Sequence, residues 1–198
     1  MVEIKYFDGK RGLFLDGLCM GAVGLSGEIA SPYMIPIAHR IAGLQASSEC
    51  LFLGGGAMIL PAYASRKGHI ASVWEIDPEV IVKSRSFVDD RDAFNITLRQ
   101  EDAKHIDILE EEWFDFVLLD IWPHHKDIYD LEYFKKCESR LKIGGLFTMN
   151  YIPDSVDKKA QCAEMAETLK YVFTMVKYDI LYYDNEEKLP AQAVYFCN

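Results

Sequence analysis

Cys50-Leu51-Phe52-Leu53-Gly54-Gly55-Gly56, and then Ser72-Val73-Trp74-Glu75-Ile76-Asp77 after an apolar and small-residue segment, decide the fold of this chain. A short apolar run feeding three glycines, followed by a helix-compatible segment, is the strand–loop–helix start of a nucleotide-binding α/β unit. Glycine suits that loop because the turn needs unusual dihedrals and a side chain would hold a ligand away from the backbone. The second apolar run ends in Glu75, about 20 residues beyond the loop, where an acid accepts hydrogen bonds from the two ribose hydroxyls of an adenosine.

The loop also says which nucleotide to doubt. In the G-x-G-x-x-G register the third glycine falls on Ile59, so the pyrophosphate fingerprint is incomplete. That disfavours NAD, FAD and nicotinamide-dependent redox chemistry. A ligand without phosphates, such as S-adenosylmethionine, fits better.

Composition narrows the class further. The 198 residues suffice for one sizeable core, and with half of them hydrophobic and 13% aromatic the chain is expected to fold. A net charge of −10 argues against nucleic acid or an anionic membrane as partner, since both reward a basic face. It weakly favours cationic substrates. The cysteines (Cys19, Cys50, Cys137, Cys162, Cys197) stand singly, with no C-x-x-C, and read as reduced thiols of a cytoplasmic protein. The start Met1-Val2-Glu3-Ile4-Lys5 does not read as a signal peptide, and no apolar run approaches membrane-spanning length.

Taken in order, Asp8-Gly9 and Asp16-Gly17 are hairpin turns around a short strand, Leu13-Phe14-Leu15. Gly21 to Gly27 reads as a small-residue, mobile loop. A helix is expected from Ser31 to Gly43, starting late or kinked because Pro36 lies deep in it. Asp77-Pro78-Glu79 starts a second helix, with Asp77 as cap. Asn95 to Leu98 and Phe114 to Asp120 are strands, the latter of the fully buried parallel type. A helix from Leu131 to Leu141 stops at Gly144-Gly145, before a strand from Leu146 to Asn150. Asp154 opens a long helix to Val172, and two strands, Tyr178 to Tyr183 and Ala191 to Cys197, finish the chain around Asn185 and Pro190.

Alternating strands and helices predict an α/β, Rossmann-like doubly wound sheet, mostly parallel, with an antiparallel C-terminal strand pair. The division expected is an N-terminal β-hairpin and helix region over 1–45 and a Rossmann-like domain of class I methyltransferase type over 46–198. Ligands of such sheets sit outside the carboxyl ends of the strands. Gly54, Gly55, Gly56 and Ala57 would hold the amino-acid-like tail, Glu75 beside Ile76 the ribose, and Asp102 beside Ala103 the adenine amino group. Asp120 would face the reacting centre, both beside the cofactor and as the catalytic base. Tyr33, Trp122 and His124 are candidates for an acceptor pocket. His124-His125 invites a metal, but neighbouring histidines on a loop can point apart and no ligand set accompanies them, so no metal is assigned.

Leu13-Phe14-Leu15-Asp16-Gly17, the triple glycine, Glu75-Ile76-Asp77-Pro78-Glu79-Val80-Ile81 and Phe116-Val117-Leu118-Leu119-Asp120 together resemble the spermidine synthase family of aminopropyltransferases. The resemblance covers most of the chain and is densest between Leu51 and Gly145. It implies a small β-hairpin region on a Rossmann-like domain, a sulfonium nucleotide ligand and a homodimer. The departures concern the acceptor. Where the family continues the triple glycine with an Asp that holds the cofactor's ammonium, this chain has Ala57. The family's second Asp, three residues beyond the strand-end acid, is Pro123. Its glutamine after the Asp-Gly turn is Met20, and its Tyr-His pair is Ser31-Pro32. Burying a diammonium without paired carboxylates is costly.

The sequence therefore reads as a spermidine-synthase-like transferase that binds S-adenosylmethionine and moves a methyl group to a small amine or hydroxyl acceptor. Ala57, leaving room for a whole methionine tail, carries that preference. Aminopropyl transfer from decarboxylated S-adenosylmethionine, with methylthioadenosine as product, is one alternative. A nucleotide-binding or regulatory protein without catalysis is the other.

Overall fold

The computed structural model describes residues 1–87, 94–109, 112–122, 128–153, 157–181 and 192–198. Among them a seven-stranded sheet runs in the order β6-β5-β4-β7-β8-β10-β9. Its strands are β4 (Glu49–Leu53), β5 (Ile70–Glu75), β6 (Ile96–Gln100), β7 (Phe114–Leu119), β8 (Leu141–Tyr151), β9 (Val176–Leu181) and β10 (Gln192–Cys197). The first five pair in parallel. β10 inserts between β8 and β9, antiparallel to both.

Alternation along the apolar strands puts one hydrophobic core on each face. Leu51, Leu53, Val117 and Leu119 point to one side, Cys50, Phe52, Phe116 and Leu118 to the other. Helices α4 (Leu131–Ser139) and α5 (Lys158–Lys170) bring Phe134, Cys137, Cys162 and Leu169 to the first core. Helices α1 (Met34–Ala42) and α2 (Ile59–Arg66) bring Ile37, Ile41, Leu60 and Ala64 to the second, and Val80 of α3 (Pro78–Ser84) joins them. Both faces of the sheet are thus covered, which is why its central strands are apolar at consecutive positions.

A three-stranded antiparallel sheet, β1 (Val2–Phe7), β2 (Lys10–Leu15) and β3 (Leu18–Gly24), precedes this unit. Asp8-Gly9 and Asp16-Gly17 form its turns with positive φ at both residues (43° and 70°, 49° and 84°), the type I′ geometry that matches strand twist. Val2 and Leu13 dock this sheet on the α1–α2 core.

Several local expectations change. Gly21 to Gly24 belongs to β3 rather than to a mobile loop. Its small residues serve packing: a Cβ on Gly21 would lie 2.8 Å from Met34 Cε and 3.2 Å from Ala57 Cβ. Helix α1 starts at Met34, which places Pro36 in its first turn, where the missing N–H has no helical partner to lose. Helix α4 ends at Ser139, because the Arg140 carbonyl already accepts from Phe114 N at 2.8 Å and draws the chain into β8. Gly144-Gly145 sits inside β8, at an irregularity in its register with β7. Helix α5 is capped by Asp157, which accepts from Ala160 N at 3.0 Å. Asp154, Asn185 and Pro190 lie outside the described residues. No helix among those described is long and apolar enough to cross a membrane.

Candidate functional site

The carboxyl ends of β4, β5, β6 and β7 open into one cleft of about 780 Å³, including its mouth. Its floor begins at the glycine loop. Gly54 has φ +97°, and a Cβ there would sit 2.0 Å from the Asp120 carbonyl oxygen, so no other residue fits. The loop then enters α2 through Met58, which is left-handed (φ 57°) and offers no side-chain cap. The first amides of that helix therefore lack the usual side-chain acceptor.

Glu75, leaving the end of β5, organises this loop. Its Oε2 accepts from the amides of Gly55 (3.0 Å) and Gly56 (3.2 Å), and its Oε1 from Asp77 N (3.0 Å). Three backbone donors hold one carboxylate in place at the cleft wall. Next to it, Asp77 caps α3 by accepting from Glu79 N at 2.8 Å. Asp102, at the end of β6, accepts from Lys104 N at 3.0 Å and caps a short 3₁₀ turn. These acids have local structural duties and also line the cleft, together with Ile76, Ala103 and the buried Trp74.

Asp120 closes β7 on the opposite side of the glycines. Asn150 Nδ2 donates to its Oδ1 at 2.9 Å. The Tyr33 hydroxyl lies 3.2 Å from its Oδ2 and 3.1 Å from the Met20 carbonyl, so a single proton serves two acceptors. Burial pushes the Asp120 carboxyl up to about 6 against the lowering effect of those hydrogen bonds, and the Glu75 charge adds to the rise. Nearby, burial and the Asp120 charge push the Tyr129 hydroxyl well above its ordinary range, while it donates to the Ile121 carbonyl at 3.2 Å.

Of the residues singled out from sequence, Gly54, Gly56, Glu75, Ile76, Asp102, Ala103, Asp120 and Trp122 line this one cleft. Gly55 lies behind it, where a Cβ would be 3.2 Å from Glu75 Cβ. Tyr33 reaches the site through Asp120. Ala57 does not line the cleft: it is 1% exposed and packs against β3. The extra room expected beside the glycines is thus filled by the N-terminal sheet. His124 lies outside the described residues. Sequence reasoning noted Met20 only as a departure from the family's glutamine and passed over Leu15, which with Met20 brings the N-terminal sheet to the cleft, and Trp74, Ile121 and Ile128. It also passed over Asn150, although a polar residue at a strand end beside Asp120 satisfies the rule that singled out Asp120.

No protein-family model matches the sequence, and no curated protein matches it. Solved structures do match. A probable spermidine synthase from Corynebacterium glutamicum superposes with a TM-score of 0.78 at 21% identity, over 100% of this chain and 76% of that one. The spermidine synthase of Thermotoga maritima gives 0.72 at 17%, over 99% and 72%. Human methyltransferase-like protein 13, solved in complex with SAH, gives 0.62 at 15%, over 84% and 77%. The chain has the fold that spermidine synthases share with class I S-adenosylmethionine-dependent methyltransferases, preceded by a small antiparallel sheet.

Proposed function

We propose that the protein is a transferase that binds S-adenosylmethionine in this cleft and moves its methyl group to a small amine or hydroxyl acceptor. The observation that carries the reading is the meeting, in one cleft, of a glycine loop whose first residue admits no side chain with acids from three strand ends. The residues present fit such a nucleotide. Glu75 would hold the ribose, Asp102 the adenine amino group, and the glycine loop at Gly54 and Gly56 would lie against the methionine tail. Ile76, Trp74 and Ala103 offer apolar surface for the base.

When bound, a sulfonium nucleotide supplies a carbon made electrophilic by the adjacent positive sulfur. The protein's part is alignment and proton removal. Asp120 takes the proton that the acceptor nitrogen or oxygen sheds as its lone pair bonds to that carbon and the carbon–sulfur bond breaks, its electron pair leaving with the sulfur. Tyr33 orients Asp120 from one side, and Trp122 walls the acceptor from solvent. With its carboxyl raised only to about 6, Asp120 is still largely ionised at neutral pH and basic enough to take a proton.

Methyl rather than aminopropyl transfer is supported by the apolar wall that Met20 contributes to the cleft. Aminopropyl transfer is the second reading, favoured by the superposition of essentially the whole chain, front sheet included, on spermidine synthases. Incubation with S-adenosylmethionine labelled on the methyl group, decarboxylated S-adenosylmethionine and a pool of amines and alcohols separates them. Label in an acceptor, lost in Asp120→Asn, supports the proposal. Product from the decarboxylated donor alone supports the second reading, and no product from either donor removes both.

A further inference from the structure

Asn150 sits where the sheet delivers it beside Asp120. Leu119 of β7 pairs with Met149 of β8, so the next residue of each strand emerges at the same level. Asn150 is 5% exposed, and its Nδ2 donates to Asp120 Oδ1 at 2.9 Å. Its own Oδ1 is buried, and no group among the described residues hydrogen-bonds to it. A buried acceptor left unpaired is costly. Turning the amide over would set its oxygen against Asp120 Oδ1, tolerable only with a proton between them. The orientation that orphans Oδ1 is favoured when the bond it donates goes to a charge. The amide is therefore arranged for Asp120 as a carboxylate.

We propose that Asn150 is a positioning residue that holds Asp120 in its ionised form, with Oδ1 fixed by the amide and Oδ2 by the Tyr33 hydroxyl. The role in turnover rests on the reading of Asp120 as proton acceptor, but the coupling between the two side chains does not. Asp120 also faces Glu75 from the end of β5 and Tyr129 from the segment before α4, and Glu101 and Asp102 line the same cleft from the end of β6. Glu75 opposes ionisation. Asn150 and Tyr33 are the donors that favour it.

The test begins on the unmodified protein, by nitrogen-resolved NMR of the Asn150 side-chain amide against pH. Its signals are expected to move with the midpoint of the Asp120 carboxyl, near 6, and to lose that response in Asp120→Asn. An amide that does not respond to pH between about 5 and 7 overturns the proposal, whatever the enzyme's activity. Carbon-detected titration of Asp120 in Asn150→Leu, or in Asn150→Ala if the larger side chain disturbs folding, gives the second reading. The midpoint should rise by about one pH unit or more, with the acid limb of any turnover profile moving alongside. An unchanged midpoint in either variant also overturns it. Coupling without turnover would leave this proposal standing while the transferase reading fails.

Discussion

Glu75 and Asp120 stand at the ends of strands flanking β4, on either side of the same glycines, yet they are held in different ways. Glu75 accepts from three backbone amides, at Gly55, Gly56 and Asp77. Asp120 accepts from two side chains, Asn150 and Tyr33, and burial raises its carboxyl to about 6. Backbone donors are fixed by the fold, so the first carboxylate is an anchor. Side-chain donors can reorient, and a desolvated carboxylate can exchange a proton near neutrality, so the second is suited to chemistry. Position at a strand end selects both residues, and their hydrogen-bond partners separate their roles.

The largest effect should come from breaking the reactive side. Asp120→Asn is expected to lower turnover by about 100- to 10,000-fold, the usual worth of a general base, with nucleotide affinity within about threefold of wild type. In the wild type, turnover should fall as the pH drops below about 6, following the Asp120 carboxyl. Comparable losses of affinity and turnover would give Asp120 the binding role proposed for Glu75.

The cradle between the two carboxylates comes next. Gly54→Ala places a Cβ against the Asp120 carbonyl at a φ that L-residues avoid. It is expected to cost on the order of 3 kcal/mol, read as a fall in Tm of about 10 °C. Ala57→Asp tests the other wall. Ala57 is buried against β3, so a carboxylate there should destabilise by about 2–3 kcal/mol and should not create an ammonium site in the cleft. A stable Ala57→Asp protein that prefers decarboxylated S-adenosylmethionine would contradict that placement.

A smaller effect separates the two acids by stability. The Asp120 carboxyl sits near 6 in the folded chain, against about 3.9 for a free aspartate. The folded state therefore keeps its proton to higher pH than the unfolded state. Stability falls as the pH rises through about 4 to 6 and stays lower above that window. Asp120→Asn removes the penalty, so it should be more stable than wild type at neutral pH by on the order of 2 kcal/mol, a gain that vanishes near pH 4 in thermal melts.

Much of this was legible in the sequence because it is written in local chemistry. Gly54 reports a backbone that cannot carry a side chain, Asp77-Pro78 a helix start, and the run from Phe114 to Leu119 a strand buried on both faces. What stayed hidden depends on contacts between distant segments. Gly21 looked mobile because nothing nearby says that Ala57 and Met34 press against it. Ala57 looked open to the ligand for the same reason. Met20 and Leu15 reach the cleft only because the front sheet docks on α1 and α2. Asn150 was missed because its partner is 30 residues away, across a strand register that sequence periodicity does not report.

The anchor role of Glu75 is tested most directly by calorimetric titration of the wild type and Glu75→Gln with S-adenosylmethionine, its decarboxylated form and methylthioadenosine. The wild type should bind S-adenosylmethionine best. Glu75→Gln should bind it about 10- to 100-fold more weakly, the worth of a hydrogen bond to a charged group. Binding of none of the three by the wild type, or equal affinity in the variant, would contradict a nucleotide cleft built on this carboxylate.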